Sequence, residues 1–148
     1  MKLSQIGVIG TSKKEDERRV PIHPDHLIRL PQHVRTKLIF ETGYVVPFDI
    51  SDEDIAARSG GIASRKSILS DIGSVIIAKP VLSDLKEMKA GGMIWGYPHC
   101  EQQQEITQTA IDRKLTLIAF EDMFVWTPTG AMGRHTFYKN NEMAGDAL

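Results

Sequence analysis

A single cysteine, Cys100, stands in 148 residues, so neither an intrachain disulfide framework nor a thiolate zinc cage can form within one chain. Cysteine this sparse suits a reducing compartment, and a cytoplasmic location is expected. Neither charge is in surplus: Lys and Arg number 18 against 19 Asp and Glu, a formal net charge of -1. Without excess cations a row of phosphates goes unneutralised, which argues against nucleic acid as a partner. No apolar run approaches the roughly 18 residues that cross a bilayer, so no membrane partner is expected. The opening MKLSQIGVIG lacks the long apolar centre of a signal peptide. No Gly-x-Gly-x-x-Gly follows any apolar run; Gly60-Gly61 and Gly91-Gly92 are isolated pairs, and the pyrophosphate cradle of a dinucleotide site is therefore missing. A P-loop, a His-Glu-x-x-His metal motif and a Gly-x-Ser-x-Gly elbow are missing too. No metal is expected.

What is present fits one domain, 1–148, long enough to bury about two-thirds of the surface its unfolded chain exposes. Hydrophobic residues make up 41% and charged ones 25%, as in mixed α/β proteins. Short apolar runs recur at Ile6 to Ile9, Leu38 to Phe40, Val75 to Ala78, Met93 to Trp95 and Leu115 to Phe120. Too short for helices and flanked by Gly, Pro or Ser, they predict buried strands, and continuous runs of this kind favour a parallel sheet covered on both faces. Helix signals fall between them: Pro24-Asp25-His26, Ser51 to Asp54 with a near capping box, Ser83-Asp84, and Glu101 to Arg113, where Ile106, Ala110 and Ile111 share a face. Alternating strand and helix predict an open, mainly parallel sheet with helices on both faces and right-handed crossovers. FVWTPTGAMGRHTF, from Phe124 to Phe137, breaks the rhythm and reads as a long loop or a hairpin turning at Thr129-Gly130. Residues 140–148 begin like a helix and stop without a C-terminal cap signal. The expectation is a chain that breaks off before a nucleotide-binding domain.

Ligands of open parallel sheets bind outside the carboxyl ends of the strands, and three polar clusters sit there. KKEDERRVPIHP follows the first strand; an Arg in it can fork a carboxylate, although a charged run is also what a solvated loop looks like. Lys79 lies between the strand VIIA and Pro80, where desolvation can lower its pKa and fit it to polarise a carbonyl or relay a proton; an ammonium snorkelling to water is the plainer reading. His99 closes WGYPHC and can hydrogen-bond a substrate oxygen or exchange a proton, or simply cap a helix. Glu121 follows LIAF as an orienting acid, an amine ligand or a cap.

Taken in order, IGVIGTSKKEDERRVPIHP, VIIAKP, MIWGYPHC, LIAFED and NNEMAGDAL resemble the N-terminal domain shared by alanine dehydrogenases, saccharopine dehydrogenases and the alpha subunit of nicotinamide nucleotide transhydrogenase. The resemblance implies that Arg19 clamps a substrate carboxylate, that Lys79 and His99 complete a keto-acid site, and that Glu121 binds substrate. It also implies a cofactor contact at Asn141, and NADPH or NADH held mainly by a domain outside this chain. Two departures suggest a different substrate: Lys79-Pro80 where the family usually has Lys-Glu-Pro, and Tyr97-Pro98-His99-Cys100 in place of a Leu-rich ending. RHTFYKNNEMAG and KLTLIAFEDM are most similar to carboxyethylornithine synthases, which implies NADPH-dependent reductive condensation of pyruvate with the side-chain amine of ornithine or lysine. Partners would then be a small keto acid and an amino acid, in a homo-oligomeric full-length enzyme, with the 148-residue chain inactive as a dehydrogenase alone. Alanine dehydrogenase proper, using ammonia, is one alternative; a non-catalytic module that senses a keto acid or docks on a partner is another.

Overall fold

The computed structural model describes residues 5–139. Its elements are β1 (Ile6–Ile9), α1 (Gln32–Arg35), β2 (Leu38–Glu41), α2 (Asp52–Arg58), β3 (Gly61–Ala63), α3 (Arg65–Ser67) leading into a π turn at Ile68–Ile72, β4 (Ser74–Ile77), α4 (Leu82–Glu87), β5 (Met93–Gly96), α5 (Gln104–Asp112), β6 (Thr116–Ala119), β7 (Phe124–Trp126) and β8 (Met132–His135). The first six strands form one sheet in the order β3-β2-β1-β4-β5-β6, with every pair parallel. The open parallel α/β sheet expected from the alternating runs is what forms.

Each central strand is buried on both sides, which is why its sequence reads as a continuous apolar run rather than an alternating one. Successive side chains still point to opposite faces. Val8, Leu38 and Phe40 join Leu27, Tyr44 and Ile55 in one cluster, whereas Ile9, Ile39, Val75, Ile77 and Ile94 join Ile68, Leu85 and Ile106 in the other. The two clusters therefore cover opposite faces of the sheet. Gly7, in the middle of β1, permits a close approach: a Cβ there would come within 2.2 Å of Ile68 Cγ2, so a side chain would push the π turn off the sheet.

Several expectations need correction. Pro24–Arg29 is a 3-10 helix, since it carries a proline at its start and its turn is closed by bonds such as His26 N–H to His23 O at 2.9 Å. Gly61–Ala63 pairs with β2 as an edge strand, although its three residues are only half-buried and gave no apolar run. On α5, Ile106 and Ala110 are buried but Ile111 is 64% exposed; five residues on from Ile106 it lies about 140° around the helix and off the inward face. Ser51 does cap α2, its Oγ accepting the Asp54 N–H at 3.1 Å.

Phe124 to Phe137 is a hairpin rather than a loop. Phe124 pairs with His135 and Trp126 with Met132, antiparallel and bulged, and the turn closes through Gly130 N–H to Thr127 O at 2.9 Å with Gly130 at φ 78. That positive φ favours glycine. Among the described residues, no helix is long and apolar enough to cross a membrane.

Candidate active site

The sheet order reverses direction between β1 and β4, the topological switch point at which open α/β sheets bind ligands. The loops leaving these two strands carry Arg19 and Lys79. They are tied together directly, Ser12 Oγ donating to Lys79 O at 2.6 Å.

Behind them a charge network fixes where the β1 loop starts. Glu41, 7% exposed at the end of β2, accepts through Oε2 from Gly10 N–H at 3.0 Å, Thr11 N–H at 3.3 Å and Thr11 Oγ at 3.2 Å. Its Oε1 takes Arg65 Nη1 at 3.2 Å, and Arg65 Nη2 reaches the fully buried Asp84 at 2.9 Å. Asp84 also accepts Val81 N–H at 3.0 Å and faces Lys13 Nζ at 3.4 Å. This bears on a nucleotide cofactor. In a dinucleotide fold of this strand order, backbone N–H groups after β1 hold the pyrophosphate; here the chain's own carboxylate accepts from them, and a phosphate would meet that negative charge. The residues at the β1 turn do not fit the group.

Arg19 does not stand open. Glu17 forks it, with Arg19 Nε to Glu17 Oε1 at 2.8 Å and Nη2 to Oε2 at 2.5 Å, while Arg19 N–H also donates to Oε1 at 2.9 Å. Glu17 Oε2 lies 3.9 Å from Lys79 Nζ. Arg19's hydrogen bonds hold the Glu17 carboxyl at about 2, against the opposing effect of burial, and the same pairing raises Arg19. Lys79 is pushed below the ordinary lysine range, first by burial and then by the nearby cations Lys14 and Arg19, with Glu17 pulling the other way. That direction matches the expectation for a lysine at a strand terminus.

Tyr97 joins this basic side of the cleft to His99. The Arg19 guanidinium sits 5.4 Å from the Tyr97 ring centroid, a cation-π distance, and the Tyr97 ring stacks on His99 at 6.1 Å. His99 has φ 49, uncommon for a residue with a side chain. Its N–H donates to Glu121 Oε1 at 2.8 Å, and the same oxygen lies 3.8 Å from His99 Nδ1. Glu121 is therefore held at the end of β6 as a partner of His99, and its Oε2 is buried without a hydrogen-bond partner among the described residues. One cleft is lined by Arg19, Val20, Pro21, Ala78, Tyr97, Phe120 and Phe137. A second opens beside it at His99, Cys100, Gln102, Ala119 and Glu121, among others.

Arg19, Lys79, His99 and Glu121 thus line up along adjacent strand ends, while Asn141 lies outside the described residues. Sequence reasoning missed Glu17, Tyr97, Phe120, Phe137 and His135. All five lie inside the quoted motifs, and Glu17's place two positions before Arg19 is the one positional signal among them. The motifs do not show that Phe137 and His135 reach the site, because a ribbon outside the main sheet brings them in.

Glu17 makes the stability of the fold depend on pH. Its folded pKa, about 2, lies below the ordinary 4.5, so the folded state binds this proton less well than the unfolded chain. The stability this supplies is present above pH 4.5 and is lost as pH falls toward 2. Glu17→Gln should flatten that acid limb while leaving its shape above about pH 5.5 unchanged, roughly one unit clear of the unfolded carboxyl's titration. Urea unfolding at pH steps between those limits checks it; parallel curves for both proteins would contradict the Glu17 assignment.

Comparisons with known proteins agree with this fold. The family model described as alanine dehydrogenase/PNT, N-terminal domain, matches residues 8–130. The alanine dehydrogenase of Staphylococcus haemolyticus (strain JCSC1435) is 28% identical over 116 residues, 76% of this chain and 31% of the relative. Alanine dehydrogenase 2 of Staphylococcus aureus (strain USA300) is 28% identical over 109 residues, 73% of this chain and 29% of the relative. A solved L-alanine dehydrogenase superposes with a TM-score of 0.68 at 25% identity, covering 86% of this chain and 34% of that one. A transhydrogenase from Sinorhizobium meliloti superposes with a TM-score of 0.65 at 13% identity, covering 80% of this chain and 35% of that one; the latter is a likeness of fold alone. The chain spans about a third of the length of the curated relatives it matches.

Proposed function

Because this chain belongs to the alanine dehydrogenase/transhydrogenase N-terminal domain family, we propose that it is the substrate-binding part of a nicotinamide-dependent oxidoreductase acting on a small 2-oxo acid and an amine. The observation that carries this reading is the Glu17–Arg19 fork. Arg19 already grips a carboxylate in the two-bond geometry that a 2-oxo acid would present, so a substrate carboxylate exchanges with that of Glu17 like for like. Lys79, 3.9 Å from the same carboxylate, then faces the keto oxygen. A lysine pushed below its ordinary range gives up a proton more readily than an exposed one.

His99 supplies the second proton-handling group. Glu121 fixes its backbone at 2.8 Å and lies 3.8 Å from its ring, so one carboxylate holds the turn and flanks the imidazole. Positioning of this kind lowers barriers by on the order of 7–11 kcal/mol for well-oriented reactants. Glu41 takes up the N–H groups that would bind a pyrophosphate. The reading accordingly assigns NADPH or NADH to another part of the whole protein, beyond residues 1–148, and gives this chain no step of hydride delivery.

For the amine, the finer reading is a reductive condensation of pyruvate with the side-chain amine of ornithine or lysine. Two things support it: the resemblance of RHTFYKNNEMAG to carboxyethylornithine synthases, and a second cleft beside His99, which ammonia alone would not need. Alanine dehydrogenase is the alternative, favoured by the names of the relatives. Full-length protein carrying this chain should oxidise NADPH with pyruvate plus ornithine faster than with pyruvate plus ammonium. The reverse order would favour the alternative. In the same protein, Lys79→Ala should lower kcat by about 100-fold, within the range of general acid-base catalysis, with a smaller change in KM. Unchanged kcat would remove Lys79 from the chemistry.

A further inference from the structure

The cleft at Arg19 takes its side-chain polarity from the guanidinium and the Tyr97 hydroxyl. Apart from the guanidinium, its lining is Val20, Pro21, Ala78, Tyr97, Phe120 and Phe137. An acid whose carboxylate is held by Arg19 must therefore lay its remaining carbon atoms on an apolar wall, and burying them there is favourable in proportion to the area covered.

Of these wall residues Phe137 is placed differently from the rest. Val20 and Pro21 belong to the β1 loop, and Ala78, Tyr97 and Phe120 follow strands of the main sheet, whereas Phe137 comes just after β8 in the separate ribbon. Its ring packs on Phe120 at 5.0 Å and on Tyr97 at 6.2 Å. A two-stranded ribbon is marginally stable alone, so something must hold Phe137 against the cleft.

His135 meets that need. Its Nδ1 accepts Phe137 N–H at 3.0 Å, so that nitrogen carries no proton. Nε2 lies 3.0 Å from Phe120 O and 3.2 Å from Glu121 O. Both oxygens only accept, so Nε2 holds the ring proton and donates to them. One neutral tautomer satisfies every contact. The imidazole thereby bolts the ribbon to the turn after β6 and sets the backbone of Phe137 in the same act. Thr136 N–H to Met123 O at 2.7 Å is a further backbone tie at this junction.

We infer that Phe137 limits the length of the 2-oxo acid side chain accepted at Arg19, and that His135 is the positioning residue that holds Phe137 in place. The inference rests on the proposed keto-acid reading and adds a size selection to it: short unbranched 2-oxo acids, pyruvate first.

The test is direct binding to the 148-residue chain, by calorimetry or by amide chemical shifts, of pyruvate, 2-oxobutanoate and 2-oxopentanoate. Wild type should bind pyruvate best. Phe137→Ala and the milder Phe137→Leu should shift preference toward the longer acids, by about fourfold for each methylene that gains cover, the factor burial of one CH2 supplies. His135→Leu should shift it the same way although His135 does not line the cleft. His135→Asn, whose amide oxygen can still accept Phe137 N–H, should restore most of the wild-type preference. A merely structural histidine would change stability in both variants without moving the ratio between acids. If pyruvate binds through Arg19 but the ratios stay fixed in Phe137→Leu, the size limit is overturned and the keto-acid reading stands. If wild type binds no 2-oxo acid at all, both fall.

Discussion

Replacing Asp84 by alanine is expected to destabilise the fold by about 3–5 kcal/mol, the cost of removing one partner from a buried ion pair. Its side chain is fully buried, with Arg65 Nη2 at 2.9 Å and Lys13 Nζ at 3.4 Å on one oxygen and Val81 N–H at 3.0 Å on the other. Without it Arg65, itself 16% exposed in its side chain, keeps among the described residues only Glu41 as an anionic partner, at 3.2 Å. Against the ~5–15 kcal/mol that holds a typical domain folded, this is a large fraction. Urea unfolding should show a lower midpoint with an unchanged slope. Asp84→Leu with Arg65→Met and Glu41→Gln should recover part of the loss, because the third change neutralises the Glu41 carboxylate that Arg65 otherwise pairs and no buried charge is left without a partner. A loss below about 1 kcal/mol for Asp84→Ala would mean that water or another group already screens the cluster. The network also reaches the candidate site, since Glu41 and Arg65 fix Gly10 and Thr11, where the loop to Arg19 begins.

Arg19→Met should weaken pyruvate binding on the order of a hundredfold, the worth of two charge-assisted hydrogen bonds lost together. Arg19→Lys should rescue little of it. An ammonium is a point charge and cannot reproduce the planar fork that Glu17 now occupies with contacts at 2.8 and 2.5 Å. The variant has a second effect that must be separated: Glu17, with a side chain only 6% exposed, loses the partner that holds its carboxyl at about 2. Its proton affinity therefore rises, and the Lys79 ammonium becomes its remaining cationic partner at 3.9 Å. Pairing Arg19→Met with Glu17→Gln in a double-variant cycle isolates the clamp from this side effect. Calorimetric titration with pyruvate reads the result. Equal affinities for wild type and Arg19→Met would take the carboxylate away from Arg19.

The amino-acid sequence alone determined the sheet and the strand ends. Its apolar runs are continuous because central parallel strands are buried on both faces, so β1, β2, β4, β5 and β6 could be read within about a residue of their observed bounds. Lys79 and Glu121 follow such runs directly and His99 comes three residues after β5 ends, and a residue that follows a strand lands at the sheet's carboxyl edge wherever the strand pairs. Arg19 was legible through its motif and its resemblance rather than by periodicity. Edge strand β3, half-buried and three residues long, lacked the apolar content that would announce it.

Tertiary structure decided the rest, because it depends on which strands are neighbours. Only the order β3-β2-β1-β4-β5-β6 puts the β1 and β4 loops side by side and makes Glu41, Arg65 and Asp84 one network across gaps of 24 and 19 residues. Only the folded loop shows Arg19 already holding a carboxylate. The ribbon's return to Phe120 through His135 joins residues 15 apart with no repeating pattern to mark the contact. Local sequence carries burial and period; pairings between distant polar side chains are settled by the chain's path, and the chemistry proposed for this cleft lies in those pairings.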